Sequence, residues 1–450
     1  MTLSRKNNPP VVSSLILLVI AIFSFNLYLL PDKPVLLYDT KRLFVCALVI
    51  GVCLSLIFWA ELRIRLVQRY MSASIGVRTL VATFFVLALI ADLFGLYPNK
   101  GVVHYFYFIG LLFFTLCFSL ERPSLKSFKL FGLIILCGFF SVFIGYSVAT
   151  FWGDGATIRT ILSYANPRFL NQVQVWLVIP SLYMVLVSKS RISYLFPVLN
   201  FAVMFALDAR GLAVASIGGI ILWALIDRKN RHEIIKIALF TLTIGLLISV
   251  IFLSPLPTYI MHGEGSRSLL DLRDNTANRW SLWYYGIEMS RFFGLGGDGY
   301  VCTSTQEIRP HNSVIYVLLN WGVIPALCYM ALGLILFKQV IQEKRYRYRV
   351  IGLSLLTGLA YSLVSSVLDS PLSLLLACLF TGWFCGRTPL VKPVDYPRWV
   401  TGLLIIASLL SVLSVIYKAS QRIKNDFYIH NEESVLRPQF WLGNNCPHHD

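Results

Sequence analysis

The chain has 450 residues, 57% hydrophobic and 14% charged, with a formal net charge of +17 and a mean hydropathy of +0.70. Soluble domains carry about 25% charged residues, so this balance excludes an ordinary soluble enzyme. The basic residues fall mainly on alternate loops between apolar runs, as expected for the cytoplasmic loops of a membrane protein, so no nucleic-acid partner is implied.

Apolar runs of about 20 residues, enough to cross about 30 Å of hydrocarbon, recur along the whole chain. The reading is an all-α polytopic membrane protein of about 12–13 transmembrane helices. The runs lie near 11–30, 43–60, 79–97, 102–120, 129–150, 172–188, 192–208, 212–226, 234–254, 313–337, 350–368, 371–386 and 399–417. The pairs 192–208/212–226 and 350–368/371–386 read as tight hairpins. The first run lacks a small-residue cleavage site and reads as a retained helix. The expected organisation is 1–254 as spans with short loops, 255–312 as a large outer loop, 313–417 as further spans, and 418–450 as a polar tail.

With Arg5 and Lys6 placed in the cytoplasm, the inward loops hold Arg63, Arg65 and Arg69, then Arg122, Lys126 and Lys129, then Lys189 and Arg191. Arg228, Lys229, Arg231 and Lys236 follow, then the 338–349 cluster, then Arg387, Lys392 and Arg398. The bias is consistent along the chain; Lys41 and Arg42 are the exception, falling outside. Seven of the nine cysteines lie in apolar runs and read as small buried thiols. Cys302 and Cys446 fall on the outer side, where an oxidising compartment permits a disulfide between them.

Three outer segments stand out: 151–171 (FWGDGATIRTILSYANPRFLN), the tight LDARGL turn at 207–212, and 255–312. In the last, TANRWSLWYYGIEMSRFF (276–293) predicts an amphipathic interfacial helix, with Trp280, Trp283 or Tyr284, and Ile287 at helical spacing and Asn275 or Thr276 as cap. GLGGDGY (294–300) then breaks it. This stretch follows a helix rather than a strand, so it reads as a turn and not as a phosphate-binding fingerprint. No P-loop, Asp-x-Asp pair or histidine cluster occurs on the outer segments, so neither a metal nor another cofactor is expected.

Charges at a membrane edge are candidate functional groups. Arg210 stands beside Asp208, either as a snorkelling pair closing a hairpin or as a ligand-binding cation. Arg279 opens the interfacial helix against its dipole, which points it towards a negative partner such as Asp274, Glu288 or a lipid phosphate. His311 precedes a span directly, with Asn312 and Ser313 as candidate N-caps. Taken locally, His311 is a capping or interfacial residue; on an outer loop that also carries Arg279, it is equally placed for proton transfer. Arg309 either contacts phosphate or faces water.

HNSVIYVLLNWGVIP (311–325) resembles the signature of the O-antigen ligase family, with Pro325 where the family more often has glycine, threonine or tyrosine. NRWSLWYYGIEMSRFFGLGGDGYV is similar to the R-x-x-x-W … G-x-G-x-G stretch of the ligase and polymerase superfamily. ANPRFLNQVQVWLVIP resembles its N-P-N-x-x-A loop, with Arg168 and Asn171 as departures, and DARGLAVAS resembles its S-R-(G/S) turn. The resemblance covers about residues 160–335. It implies a metal-independent, inverting GT-C-type glycosyltransferase of the bacterial inner membrane, working at the periplasmic face. Such an enzyme moves a glycan from undecaprenyl pyrophosphate to lipid A-core. Arg210 and Arg279 would hold the pyrophosphate, and His311 would act as base or orienter. Arg309, Asn312, Arg168 and Trp283 complete the substrate-binding candidates.

Competing readings are an O-antigen polymerase with a lipid-linked acceptor, a protein O-oligosaccharyltransferase, and a lipid-linked sugar transporter. The short tail argues against the second. Span interiors nearly free of ionisable groups, Asp92 being the main exception, argue against the third.

Overall fold

The computed structural model describes residues 11–25, 34–157, 161–164, 166–188, 190–263, 279–304, 309–391 and 397–424. Among these the secondary structure is entirely helical, without strands. The first half runs α1 (Val11–Phe25), α2 (Pro34–Phe58), α3 (Ala60–Met71), α4 (Ile75–Leu93), α5 (Pro98–Phe118), α6 (Leu125–Trp152), α7 (Pro167–Ser188), α8 (Leu195–Ala206) and α9 (Arg210–Ile226). The second runs α10 (Arg231–Ile248), α11 (Leu256–His262), α12 (Arg279–Met289), α13 (Gly299–Thr303), α14 (Ser313–Trp321), α15 (Val323–Gln342), α16 (Tyr346–Ser362), α17 (Pro371–Cys385) and α18 (Arg398–Lys424).

Eight helical stretches are long and apolar enough to cross a membrane: Leu36–Phe58, Ile75–Leu93, Pro98–Phe118, Leu125–Trp152, Pro167–Ser188, Arg231–His262, Val323–Gln342 and Arg398–Lys424. This is a polytopic membrane architecture. The other five expected spans are also helices but shorter: α1 has 15 residues, α8 12, α9 17, α16 17 and α17 15. Local chemistry sets the breaks between helices. Ser74 and Ser124 cap α4 and α6 through their hydroxyls, and Pro98 and Pro371 open α5 and α17, where a missing N–H costs nothing.

α7 is the central helix. Of its span 83% is buried, against 17% for α4 and 22% for α15. Trp176 sits at its core, fully buried, with Nε1 donating to Ser373 Oγ of α17 at 2.8 Å. A Cβ at Gly358 of α16 would lie 2.2 Å from the Trp176 ring, so only glycine lets the two helices approach this closely. The indole nitrogen is thus satisfied inside an apolar core, as a buried donor requires.

Arg69 ties together the basic end of the bundle by donating to the carbonyls of Ser119 and Thr388 at 2.9 and 2.8 Å. Arg345 and Arg387 pair with Glu343 at the same end. Lys41 and Arg42 lie at the other end. Sequence reading made them misplaced loop charges, whereas they occupy the third turn of α2, 2% and 3% exposed, and bond inward. The apolar run begins only after them, so hydropathy started the span seven residues too late relative to Leu36.

The GLGGDGY segment is a packing device. Leu295 N and Gly296 N donate to the carbonyls of Leu319 and Asn320 at 2.7 and 2.9 Å, and Leu96 N donates to Leu295 O at 2.8 Å. A Cβ at Gly294 would come 2.4 Å from Asn320 O. Gly297 N donates to the Asp92 carboxylate at 2.6 Å, so the buried acid of α4 anchors this turn.

Candidate functional site

The candidate residues converge on the short turn between α16 and α17, residues 363–370. His311 Nδ1 and Ser366 Oγ are 2.9 Å apart. Asp369 Oδ2 lies 3.8 Å from Arg309 Nε. The Asp369 carbonyl accepts from Arg42 Nη2 and, at 3.3 Å, from the Tyr38 hydroxyl. Ser365 Oγ accepts from Gln172 Nε2 of α7 at 3.2 Å.

Tyr361 stands at the end of α16, just before this turn. Both Arg279 and Arg168 act on Tyr361 electrostatically. A Cβ on Gly211 would approach the Tyr361 ring to 3.0 Å, so the first turn of α9 packs on that ring at Gly211, the residue after Arg210. Arg210 is half-exposed and its Nε lies 3.3 Å from Asp208 Oδ1. Trp283 donates through Nε1 to Pro310 O at 2.9 Å, linking α12 to the backbone beside His311.

Four helix N-termini frame this region. Asn166 Oδ1 accepts from Arg168 N at 2.9 Å, so the Asn-Pro pair of the 151–171 segment is a helix start with Pro167 opening α7. Arg210 and Arg279 are the first residues of α9 and α12. Asn312 caps α14, its Oδ1 accepting from Val314 N and Ile315 N at 2.9 and 3.2 Å. Its side-chain carbonyl is therefore committed to the helix behind His311. The positive ends of aligned peptide dipoles favour an anion wherever they converge.

His311 has a φ of +50°, left-handed backbone that a non-glycine residue adopts at a cost. Among the described residues Asp208 and Asp298 share this feature, with φ of 50° and 61°. Pro310 before it and the Asn312 cap after it leave the chain one way to turn, which aims the imidazole at the 363–370 turn. Ser313 Oγ, bonded to Ser362 Oγ at 2.8 Å and to the Tyr329 hydroxyl at 3.1 Å, pins the start of α14 to the end of α16.

Arg309 does not face water. It is 6% exposed, and its Nε and Nη2 are buried without a hydrogen-bond partner among the described residues. Beneath it Arg42 donates to the hydroxyls of Tyr107 and Tyr38 at 2.8 and 3.0 Å. The last helix contributes two further cations at this end: Arg422 pairs with Asp39 at 2.7 Å and Lys418 with Asp298 at 3.7 Å. Burial pushes the Asp298 carboxyl up, while Lys418 and Lys100 hold it back.

α12 resolves the choice between Trp283 and Tyr284. Trp283 and Met289 turn inward onto Leu295, Tyr300, Ile315 and Leu319. Trp280, Tyr284 and Ile287 form the outward face and are 73%, 72% and 54% exposed. The expected caps Asn275 and Thr276, the expected partner Asp274 and the whole tail from 425 lie outside the described residues. Cys302 is disulfide-bonded, while its expected partner Cys446 falls in that tail.

Sequence reading missed Asp369, Ser365, Ser366, Tyr361, Gln172, Lys41 and Arg42. Two signals were there to be used: the polar SSVLDS run between two apolar helices, and the pair of cations that broke the charge bias. Among the described residues no three of His, Cys, Asp and Glu gather as metal ligands. No family model and no curated protein matches this chain.

Proposed function

We propose that the chain is a membrane glycosyltransferase of the O-antigen ligase type, moving a glycan from undecaprenyl pyrophosphate to a sugar of lipid A-core. The observation that carries this reading is His311 held on the 363–370 turn, with Arg168 and Arg279 near enough to act electrostatically on Tyr361 at the end of α16 and the α9 start that bears Arg210 packed on that ring through Gly211. Guanidinium groups and helix N-termini stabilise the charge that grows on a departing pyrophosphate. In this mechanism the acceptor hydroxyl attacks the anomeric carbon from the face opposite the pyrophosphate, inverting that centre. The new C–O bond forms as the bond to the phosphate oxygen breaks, its electron pair leaving with the pyrophosphate. The acceptor's proton passes to His311.

The reading places the site on the periplasmic side of a bacterial inner membrane. Two facts support this sidedness: Cys302, near the site, is disulfide-bonded, whereas Cys385, at the basic end, is exposed and free. In the same reading the five short helices complete thirteen crossings, and α12 rests its Trp280–Tyr284–Ile287 face in the lipid interface.

A deletion strain analysed for lipopolysaccharide tests the reading. Loss of a ligase leaves bare core and accumulates lipid-linked polymer. Core capped by a single repeat unit would instead identify a polymerase and overturn the ligase assignment.

A further inference from the structure

Arg309 is a buried cation with donors to spare. Its guanidinium is more than nine-tenths buried, among the described residues Nε and Nη2 have no hydrogen-bond partner, and the Asp369 carboxylate stands 3.8 Å from Nε, beyond hydrogen-bond range. A buried guanidinium left this way is costly unless something anionic completes it. The turn that carries Asp369 is held independently of that carboxylate, because Arg42 and Tyr38 grip the backbone oxygen of Asp369 instead. The carboxylate, 20% exposed, is free to swing away while the turn stays in place. Arg309 also sits two residues before His311, which itself precedes the Asn312 cap of α14.

We propose that Arg309 is an anion subsite for a phosphate group, with Asp369 as the placeholder that occupies it until the ligand arrives. This rests on the glycosyltransferase reading for its ligand class, a diphosphate or its lipid ester, and deepens it. Arg210 and Arg279 take one phosphate at the exposed mouth, and Arg309 takes the other at depth. Two incoming phosphate oxygens satisfy Nε and Nη2 as a bidentate pair, which the distant carboxylate does not. Displacement of Asp369 makes anion binding and carboxylate release a single exchange.

The test is isothermal titration of the purified full chain in detergent with inorganic pyrophosphate and with farnesyl diphosphate, alongside flotation with phosphatidylglycerol vesicles. Arg309→Ala should weaken diphosphate binding at least tenfold, and Arg309→Lys should restore it only in part. Asp369→Asn, which removes the competitor, should tighten binding severalfold. Unchanged affinity in Arg309→Ala, or no tightening in Asp369→Asn, overturns the subsite; should Arg309→Ala fail to fold, Asp369→Asn decides alone. Tighter binding of the farnesyl ester than of inorganic pyrophosphate identifies a lipid-linked source, and equal binding a free diphosphate. Response to the vesicles alone overturns the proposal. If Arg309 governs diphosphate binding while the deletion strain has normal lipopolysaccharide, the subsite stands and the ligase reading falls.

Discussion

Ser366 Oγ lies 2.9 Å from His311 Nδ1, tying the imidazole to the turn between α16 and α17. A hydrogen bond at Nδ1 fixes the plane and tautomer of an imidazole, which is how a positioning residue supports a general base. Ser366→Ala should lower the transfer rate about tenfold, the equivalent of about 1.4 kcal/mol for one hydrogen bond, with little change in KM. Ser366→Thr should restore the rate. A Ser366→Ala enzyme with native kcat would remove this positioning role.

The reading of the site predicts that His311→Ala, Arg279→Ala and Arg210→Ala each abolish transfer. Membrane insertion should remain intact, because Arg210 is half-exposed and none of the three lies within the apolar core. Glycan attached to lipid A-core, resolved on gels, measures the outcome. Transfer at native levels by all three variants would discard the mechanism.

Sidedness is open to a chemical test. Cys385 should react with a membrane-impermeant maleimide in inside-out vesicles and stay unlabelled in intact spheroplasts, since it is free and at the basic end. Labelling from the periplasmic side would invert the topology and move His311 into the cytoplasm.

Glu343 supplies a pH dependence at the basic end. Burial alone would raise its carboxyl, but hydrogen bonds and charge from Arg345, with further charge from Arg387, outweigh that and hold it below the usual range. A depressed acid contributes stability above its unfolded pKa and loses it as pH falls through the folded value. Wild-type protein should therefore lose thermal stability on acidification below the ordinary carboxylate range, and Glu343→Gln should flatten that slope. Identical melting-versus-pH curves would refute the assignment.

Gly322 separates α14 from α15 with φ of +89°, and a Cβ there would fall 2.1 Å from Phe292 O. Gly322→Ala should destabilise the protein on the order of 3 kcal/mol, read as a lower melting temperature in detergent. A native melting temperature would show that the joint yields.

Helix placement was largely legible in the sequence because hydropathy reports it directly; the exception is the expected span 313–337, which breaks at Gly322 into α14 and α15, a break that a uniformly apolar run conceals. The Arg and His candidates were also legible, since charge at a membrane edge is conspicuous. What escaped was the 363–370 turn. Its serines and Asp369 are ordinary loop residues by type, and only folding brings them beneath His311 and Arg309 across more than 50 positions of sequence. Lys41 and Arg42 escaped for the opposite reason: the charge-bias rule discards a cation at the outer edge, although here it reaches backbone oxygens inside the bundle.

The Asp39–Arg422 pair joins residues 383 positions apart, and Arg422 is 2% exposed. During synthesis Asp39 emerges with α2 and Asp298 before α14, while their ion-pair partners Arg422 and Lys418 come only with the last helix. A nascent chain stopped before α18 therefore carries two carboxylates that cannot be buried cheaply. The last helix to be translated thus supplies the partners of both carboxylates and completes this end of the bundle.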